Sequence, residues 1–170
     1  MVDKEIINWI PYKEGQVYIF ESDQGKQDTL EILDLERFNN PEDHLAIISA
    51  YHEKLIITAR VPDSFRNPMG SQFHSSKQPI IVVDANTNTT SIEVNFKPYD
   101  YFFMTKINSI EDFEQLRIVQ ENNNTNLYSL ECTDTTFCKK ANAISHLLWS
   151  KTHGIVEYRL GNETWKLLKE

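Results

Sequence analysis

Apolar and polar residues alternate at every second position over much of this chain. Leu55, Ile57, Ala59 and Val61 are separated by Ile56, Thr58 and Arg60, and the same alternation recurs at 92–96 and 156–160. A period of two places successive side chains on opposite faces of a β-strand. Short polar turn sequences separate these runs, so the pattern predicts antiparallel hairpins.

The last quarter of the chain gives the clearest prediction. An apolar run at 144–149 is followed by a turn sequence at 150–154, an alternating strand at 156–160 and the two-residue turn signal Gly161-Asn162. Three strands joined by tight turns form a meander. No regular alternation of strands with helices is present, which disfavours a parallel nucleotide-binding sheet.

One short helix is predicted over Ser109–Leu116. Asn108 or Ser109 can cap it, Asp112 can reach back as in a capping box, and apolar residues follow at spacings of three. Two segments interrupt the strand pattern. Pro41 is expected to break the chain, and the stretch from Pro62 to Gln78 is expected to be a long irregular loop.

These features predict a single, mostly β domain over residues 1–170. The fold is expected to be a strongly twisted antiparallel sheet, curled or partly closed into a barrel, with the one short helix. With 40% hydrophobic and 25% charged residues, the chain is an ordinary globular protein and can bury a core without metal ions. Such a sheet encloses a small apolar cavity or fills its interior with side chains.

Charge and hydropathy exclude some classes of partner. The net charge of -8 disfavours binding to nucleic acid or to an anionic membrane surface. No apolar stretch has the roughly 20 residues of a transmembrane segment. Residues 1–10 have no basic region followed by an apolar run, so the sequence predicts no signal peptide. The chain is therefore either cytoplasmic or the mature part of an exported protein whose leader was removed.

Cys132 and Cys138 are the two cysteines of the chain. In an oxidising compartment they could close a small loop, contributing about 2 kcal/mol. Two unpaired thiols are equally compatible with the sequence. Their spacing does not fit a zinc site, and His146 and His153 do not complete one. No metal or other cofactor is predicted.

Four parts of the chain carry a family resemblance: Leu148–Tyr158 with Trp165-Lys166-Leu167, Trp9–Gly15, Gly25-Lys26 with Asp28-Thr29, and Asn39–Asp43. They resemble segments of a group of uncharacterised exported bacterial proteins, many of them lipoproteins whose β-rich soluble part follows a lipidated cysteine. It implies a location in the periplasm or at the cell surface. It implies no catalytic residues.

Candidate chemistry is sparse. There is no Gly-x-Ser-x-Gly motif and no glycine-rich phosphate loop. The aromatic run Tyr99, Tyr101, Phe102 and Phe103 could stack a ligand or could simply belong to the core. His146, on a predicted strand, is the best single candidate for a histidine with a tuned pKa.

These observations favour a non-catalytic domain that binds a protein, glycan or lipid, with Tyr99, Tyr101, Phe102, Phe103 and His146 as candidate ligand-binding residues. Two alternatives remain. One is a hydrolase whose site is assembled from dispersed residues, with His146, His74 and Asp84 as its first candidates. The other is a structural component of an envelope assembly, which an exposed edge strand would support.

Overall fold

The described residues form one eleven-stranded antiparallel sheet. The computed structural model describes residues 4–41, 51–61, 76–85, 89–98, 101–109, 111–112, 115–116, 118–122, 125–133, 138 and 140–169. Its elements are α1 Lys4–Ile7, β1 Val17–Ser22, β2 Gln27–Pro41, β3 Tyr51–Val61, β4 Ser76–Ala85, β5 Thr90–Phe96, β6 Phe103–Ile107, β7 Ile118–Asn122, β8 Thr125–Leu130, β9 Leu147–Ser150, β10 Gly154–Leu160 and β11 Glu163–Lys169.

The strand order is β6-β5-β4-β3-β2-β1-β11-β10-β9-β8-β7. Neighbours in the sheet are neighbours in the chain, except at the centre, where β1 pairs with β11. The predicted meander β9-β10-β11 is confirmed. Its second hairpin pairs Leu160 with Glu163 across the turn formed by Gly161 and Asn162. The mostly β, antiparallel prediction is therefore confirmed.

The sheet is strongly curled into a half-barrel. Side chains that alternate along each strand meet on the inner face, where they form one buried apolar cluster. The Phe96 ring on β5 contacts the Tyr158 ring on β10 with centroids 4.9 Å apart, although five strands lie between them in the sheet. The curl thus brings distant strands together around a shared core.

The open side of the half-barrel is bridged at one end by the connection between β8 and β9. The Thr133 backbone N–H donates to the carbonyl of Met104, a residue of the edge strand β6, at 2.9 Å. Phe102 exchanges two backbone hydrogen bonds with this connection, donating to Asn142 O at 3.1 Å and accepting from Ile144 N at 2.8 Å. These bonds satisfy edge groups that an open sheet would expose.

Cys132 and Cys138 form a disulfide within this bridging connection. The sequence left open whether the two thiols are paired, and the structure pairs them. Because Cys132 immediately precedes Thr133, the disulfide restrains the segment whose backbone bonds to β6.

The half-barrel has two distinct ends. The turns of the β1–β2 and β10–β11 hairpins lie at one, which we name the Gly161 end after the residue in the second turn. The β9–β10 turn, just before Gly154, lies at the other, which we name the Gly154 end. Since consecutive strands are antiparallel, the order of the chain assigns each strand terminus to one of these ends.

The N-terminal segment packs into the Gly154 end. Ile6, Trp9, Ile10 and Tyr12 are buried and join the core cluster. Two hydrogen bonds hold the segment: Trp149 Nε1 donates to the Trp9 carbonyl at 3.2 Å, and the Ile155 N–H donates to Tyr12 Oη at 3.0 Å. This end is therefore filled by the protein itself.

The cap predicted for the helix over Ser109–Leu116 is present, since Asp112 N donates to Ser109 Oγ at 3.1 Å and Asn108 N to Asp112 Oδ2 at 3.3 Å, but the helix itself is not delimited in the described residues. Two predictions about interruptions need revision. Strand β2 continues through Asn39 and Asn40 and ends at Pro41, which pairs with Tyr51 at the end of the ladder, where a missing N–H costs little. The loop predicted up to Gln78 ends earlier, since β4 begins at Ser76; residues 62–75 lie outside the described residues.

Candidate functional site

The aromatic candidates from the sequence do not form one platform. Tyr99 lies outside the described residues. Phe103 is buried in the core, directly opposite Phe96, and Phe102 is fixed through its backbone to the β8–β9 connection. Tyr101 lies against the β10–β11 turn, with its hydroxyl 3.0 Å from the position that a Cβ on Gly161 would take. The run therefore belongs to the Gly161 end, with its members in different environments.

His146 lies beside a carboxylate on the outer face of the sheet. Its Nε2 is 3.1 Å from Glu157 Oε1, and Lys166 Nζ is 3.4 Å from the other carboxylate oxygen. All three side chains are partly exposed. With one Glu157 oxygen hydrogen-bonded to the imidazole and the other paired with Lys166, this arrangement is typical of an exposed polar network, which contributes little to stability.

Asp84 and His146, the two described residues of the hydrolase alternative, are not brought together. Asp84 is near the end of β4, at the Gly154 end, whereas His146 precedes β9 at the Gly161 end. His74 lies outside the described residues. The described geometry therefore does not place Asp84 within reach of the His146 imidazole.

A hydrogen-bonded network of Ser22, Lys26 and Glu163 joins the two hairpin turns at the Gly161 end. Ser22 is buried, and its Oγ accepts from the backbone N–H groups of Gln24 at 3.2 Å and Lys26 at 3.1 Å. Lys26 Nζ donates to Glu163 Oε2 at 3.0 Å, and Ser22 also hydrogen-bonds the Glu163 carboxylate. These contacts hold the Glu163 carboxylate at the start of β11, at the Gly161 end.

The surroundings of Glu163 keep it ionised. Burial opposes its charge and by itself would raise the pKa. The hydrogen bonds from Ser22 and Lys26, together with the Lys26 charge, outweigh this and lower the pKa of Glu163 below its usual value. At neutral pH the carboxylate is therefore a hydrogen-bond acceptor only.

Four buried side-chain atoms in the described part of the chain lack a hydrogen-bond partner: Gln78 Oε1, Asn95 Oδ1, Glu163 Oε1 and Trp165 Nε1. Such atoms are costly, about 1–3 kcal/mol each when left unpaired. Gln78 and Trp165 are more than nine-tenths buried. The clustering of such atoms therefore indicates where the fold offers polar groups to another molecule.

Three of these atoms share one face and one end of the half-barrel. Glu163 and Trp165 stand two residues apart on β11, opposite the buried Leu160 and Tyr158. Gln78 is at the start of β4, and its Nε2 donates to the carbonyl of Lys97, just after β5, at 3.2 Å. By strand direction, all three lie at the Gly161 end and on the inner face. Asn95 differs, since its alternation with Val94 places it on the outer face.

Aromatic rings lie beside the Trp165 indole. The Trp165 indole is stacked parallel to the Tyr158 ring, with centroids 6.1 Å apart. Tyr158 also contacts Phe20 and Phe96 edge-on at 5.1 and 4.9 Å. The Gly161 end thus combines two oxygen acceptors, one indole N–H donor and a set of apolar rings.

Sequence reasoning did not predict Gln78, Glu163 or Trp165 as site residues. The signal was available for Glu163, because it occupies the same alternate position as Trp165 on the last predicted strand. A carboxylate on the buried side of an alternating strand needs partners. Nothing comparable marked Gln78, since the inward direction of its side chain depends on pairing between β3 and β4.

Comparison with protein-family models, with curated proteins and with solved structures finds no significant match to this chain. Within the described residues, no three His, Cys, Asp or Glu side chains gather as a metal site. No helix in the same part of the chain has the length and apolar character needed to cross a membrane.

Proposed function

We propose that this chain is a non-catalytic, exported binding domain that takes a small ligand at the Gly161 end of its half-barrel. The observation that carries the proposal is that three residues on the inner face of that end, Gln78, Glu163 and Trp165, each have a buried side-chain atom without a hydrogen-bond partner among the described residues. Binding sites are typically mostly apolar with a few placed polar groups, and the rings beside these atoms fit that description.

The state of Glu163 favours binding over catalysis. A general acid or base works best with a pKa near the operating pH. The pKa of Glu163 is instead lowered by its contacts with Ser22 and Lys26, despite the opposing effect of burial. A fixed carboxylate that is ionised at neutral pH suits recognition of a hydrogen-bond donor.

Two observations support export. The Cys132–Cys138 disulfide is of a kind that persists in oxidising compartments such as the periplasm or the cell surface. The resemblance to exported bacterial proteins implies the same location.

A protein partner is the second candidate, favoured by the edge strand β7. Ile118 and Val119 are exposed there, at 41% and 48% of their surface. However, β7 is short and carries an irregularity at Val119, where Ile118 pairs with Tyr128 but Gln120 pairs with Leu127. Short, bulged edges resist strand addition, so this surface supports a partner less directly than the Gly161 end supports a ligand.

Native mass spectrometry of the full chain tests the proposal, before and after incubation with a periplasmic small-molecule extract. We expect an adduct of defined mass that disappears on denaturation. The adduct should be lost in the double variant Glu163→Gln/Trp165→Phe and kept in Glu157→Gln, which alters a carboxylate on the outer face. The bare chain mass throughout, or an adduct that the double variant retains, would contradict the proposal.

A further inference from the structure

We infer that Glu163 and Trp165 together bind one hydroxyl group, which accepts a hydrogen bond from Trp165 Nε1 and donates one to Glu163 Oε1. Both atoms are buried and unpartnered among the described residues, and they differ in character, one being a donor and the other an acceptor. The inference rests on the proposed function for the ligand that brings the hydroxyl, while the site itself follows from these two atoms.

The spacing along β11 suits a single bridging atom. Residues two apart on a strand lie about 6.6 Å apart along it, with their side chains on the same face. An oxygen with hydrogen bonds of about 2.8–2.9 Å on either side joins groups up to about 5.5 Å apart. A carboxylate oxygen and an indole nitrogen that lie within this distance of each other can therefore share one oxygen.

A hydroxyl fits this pair better than other common groups. An ammonium group donates only, so it would satisfy Glu163 and leave the Trp165 N–H unpaired. An anion accepts only, so it would satisfy Trp165 but be repelled by the ionised Glu163. A hydroxyl both donates and accepts, and it carries no charge.

Trp149 supplies an internal comparison. Its indole Nε1 is buried as well, but it donates to the Trp9 carbonyl at 3.2 Å at the Gly154 end. At Trp149, therefore, the protein's own backbone supplies the hydrogen-bond acceptor that a buried indole N–H needs. The Trp165 N–H, stacked beside Tyr158 at the other end, lacks a partner among the described residues and is left for a bound molecule.

Two sources can provide the hydroxyl: water, or a sugar, although the rings of Phe20, Phe96 and Tyr158 are fully buried and offer a sugar no free face. NMR distinguishes them. In the ¹⁵N-labelled full chain, the Trp165→Phe variant assigns the Trp165 indole signal, and the Trp149 indole serves as the reference. Water contacts of each indole N–H are measured first, and then glucose, galactose and N-acetylglucosamine are titrated separately.

A Trp165 signal that moves saturably with one sugar, while Trp149 stays fixed, supports the inference and the proposed function. The apparent Kd should then rise by up to about ten-fold in Glu163→Gln, because a neutral amide oxygen is a weaker hydrogen-bond acceptor than a carboxylate, and stay unchanged in Glu157→Gln. A water contact at Trp165 that disappears in Glu163→Gln, with no sugar response, supports the inference with water as the hydroxyl and removes this site from the proposed function. Neither a water contact nor a sugar response at Trp165 would overturn the inference.

Discussion

Replacing Gly154 with alanine tests how tightly the N-terminal segment is packed into the Gly154 end. A Cβ at this position would lie 2.4 Å from both Cζ and Oη of Tyr12. The Tyr12 ring has little room to retreat, because it is buried and contacts Tyr18 and Trp149 edge-on at 5.3 and 5.7 Å. Gly25 offers a matched control, since its φ of +75° is close to the +73° of Gly154 and nothing lies within 4 Å of its Cβ position.

The expected destabilisation has separable parts. A non-glycine residue in the left-handed region costs about 1–2 kcal/mol, and this cost applies to Gly25→Ala and Gly154→Ala alike. Forcing a methyl group into a packed core adds about 1–3 kcal/mol at Gly154 alone. If Tyr12 shifts, the buried Ile155 N–H loses its acceptor, which adds about 1–3 kcal/mol. Gly154→Ala should therefore exceed Gly25→Ala by at least about 1 kcal/mol.

Equilibrium urea unfolding, followed by tryptophan fluorescence and circular dichroism, measures both variants. A Tyr12→Leu background removes the clashing ring, so Gly154→Ala should there cost no more than Gly25→Ala does in the parent chain. Equal costs for Gly25→Ala and Gly154→Ala in the parent chain would refute the packing described for Tyr12. An undiminished cost of Gly154→Ala in the Tyr12→Leu background would do the same.

Three further predictions concern titration and the disulfide. Burial raises the pKa of Tyr12, so the Tyr12 hydroxyl loses its proton at a lower pH in the unfolded chain than in the folded one. The free energy of unfolding should therefore fall as pH rises above about 10. Urea midpoints on either side of this pH should show a smaller fall in Tyr12→Phe than in the parent chain. The contacts of Glu163 lower its pKa. The stability that the ionised carboxylate contributes is therefore present above its ordinary pKa of about 4.3 and is lost as pH falls below it. Urea midpoints at neutral and acid pH should differ less in Glu163→Gln than in the parent chain, and an unchanged difference would contradict the network of Ser22, Lys26 and Glu163. The Cys132→Ser/Cys138→Ser variant should lose about 2 kcal/mol, and a reducing agent should destabilise the parent chain similarly while leaving the variant unaffected.

Local pattern was enough to predict much of the sheet. The β10–β11 hairpin follows from alternation on either side of Gly161-Asn162, because turn residues and strand period act within a few positions of each other. The pairing of β1 with β11 could not be predicted this way, since it joins the two ends of the chain. The extra residues at Leu33 and Ile80, where the registers of β2 and β4 against β3 shift, also depend on long-range packing.

The candidate site was less accessible to sequence reasoning. Tyr101, Phe103 and His146 were predicted as site residues. Tyr101 and His146 do lie at the Gly161 end, but His146 is on the outer face. Phe103 is part of the core. The inward positions of Gln78 and Glu163 depend on register and curl, which a period of two does not determine. Unpartnered buried atoms can be recognised only after packing is known.

A crystal structure of the full chain, at a resolution that shows ordered oxygen atoms, tests directly whether Glu163 and Trp165 bind one oxygen at the Gly161 end. We expect an oxygen atom of a bound ligand or water within about 3.2 Å of both Glu163 Oε1 and Trp165 Nε1. Apolar side chains filling the space between these two atoms, or both atoms turned to partners within the protein, would contradict it.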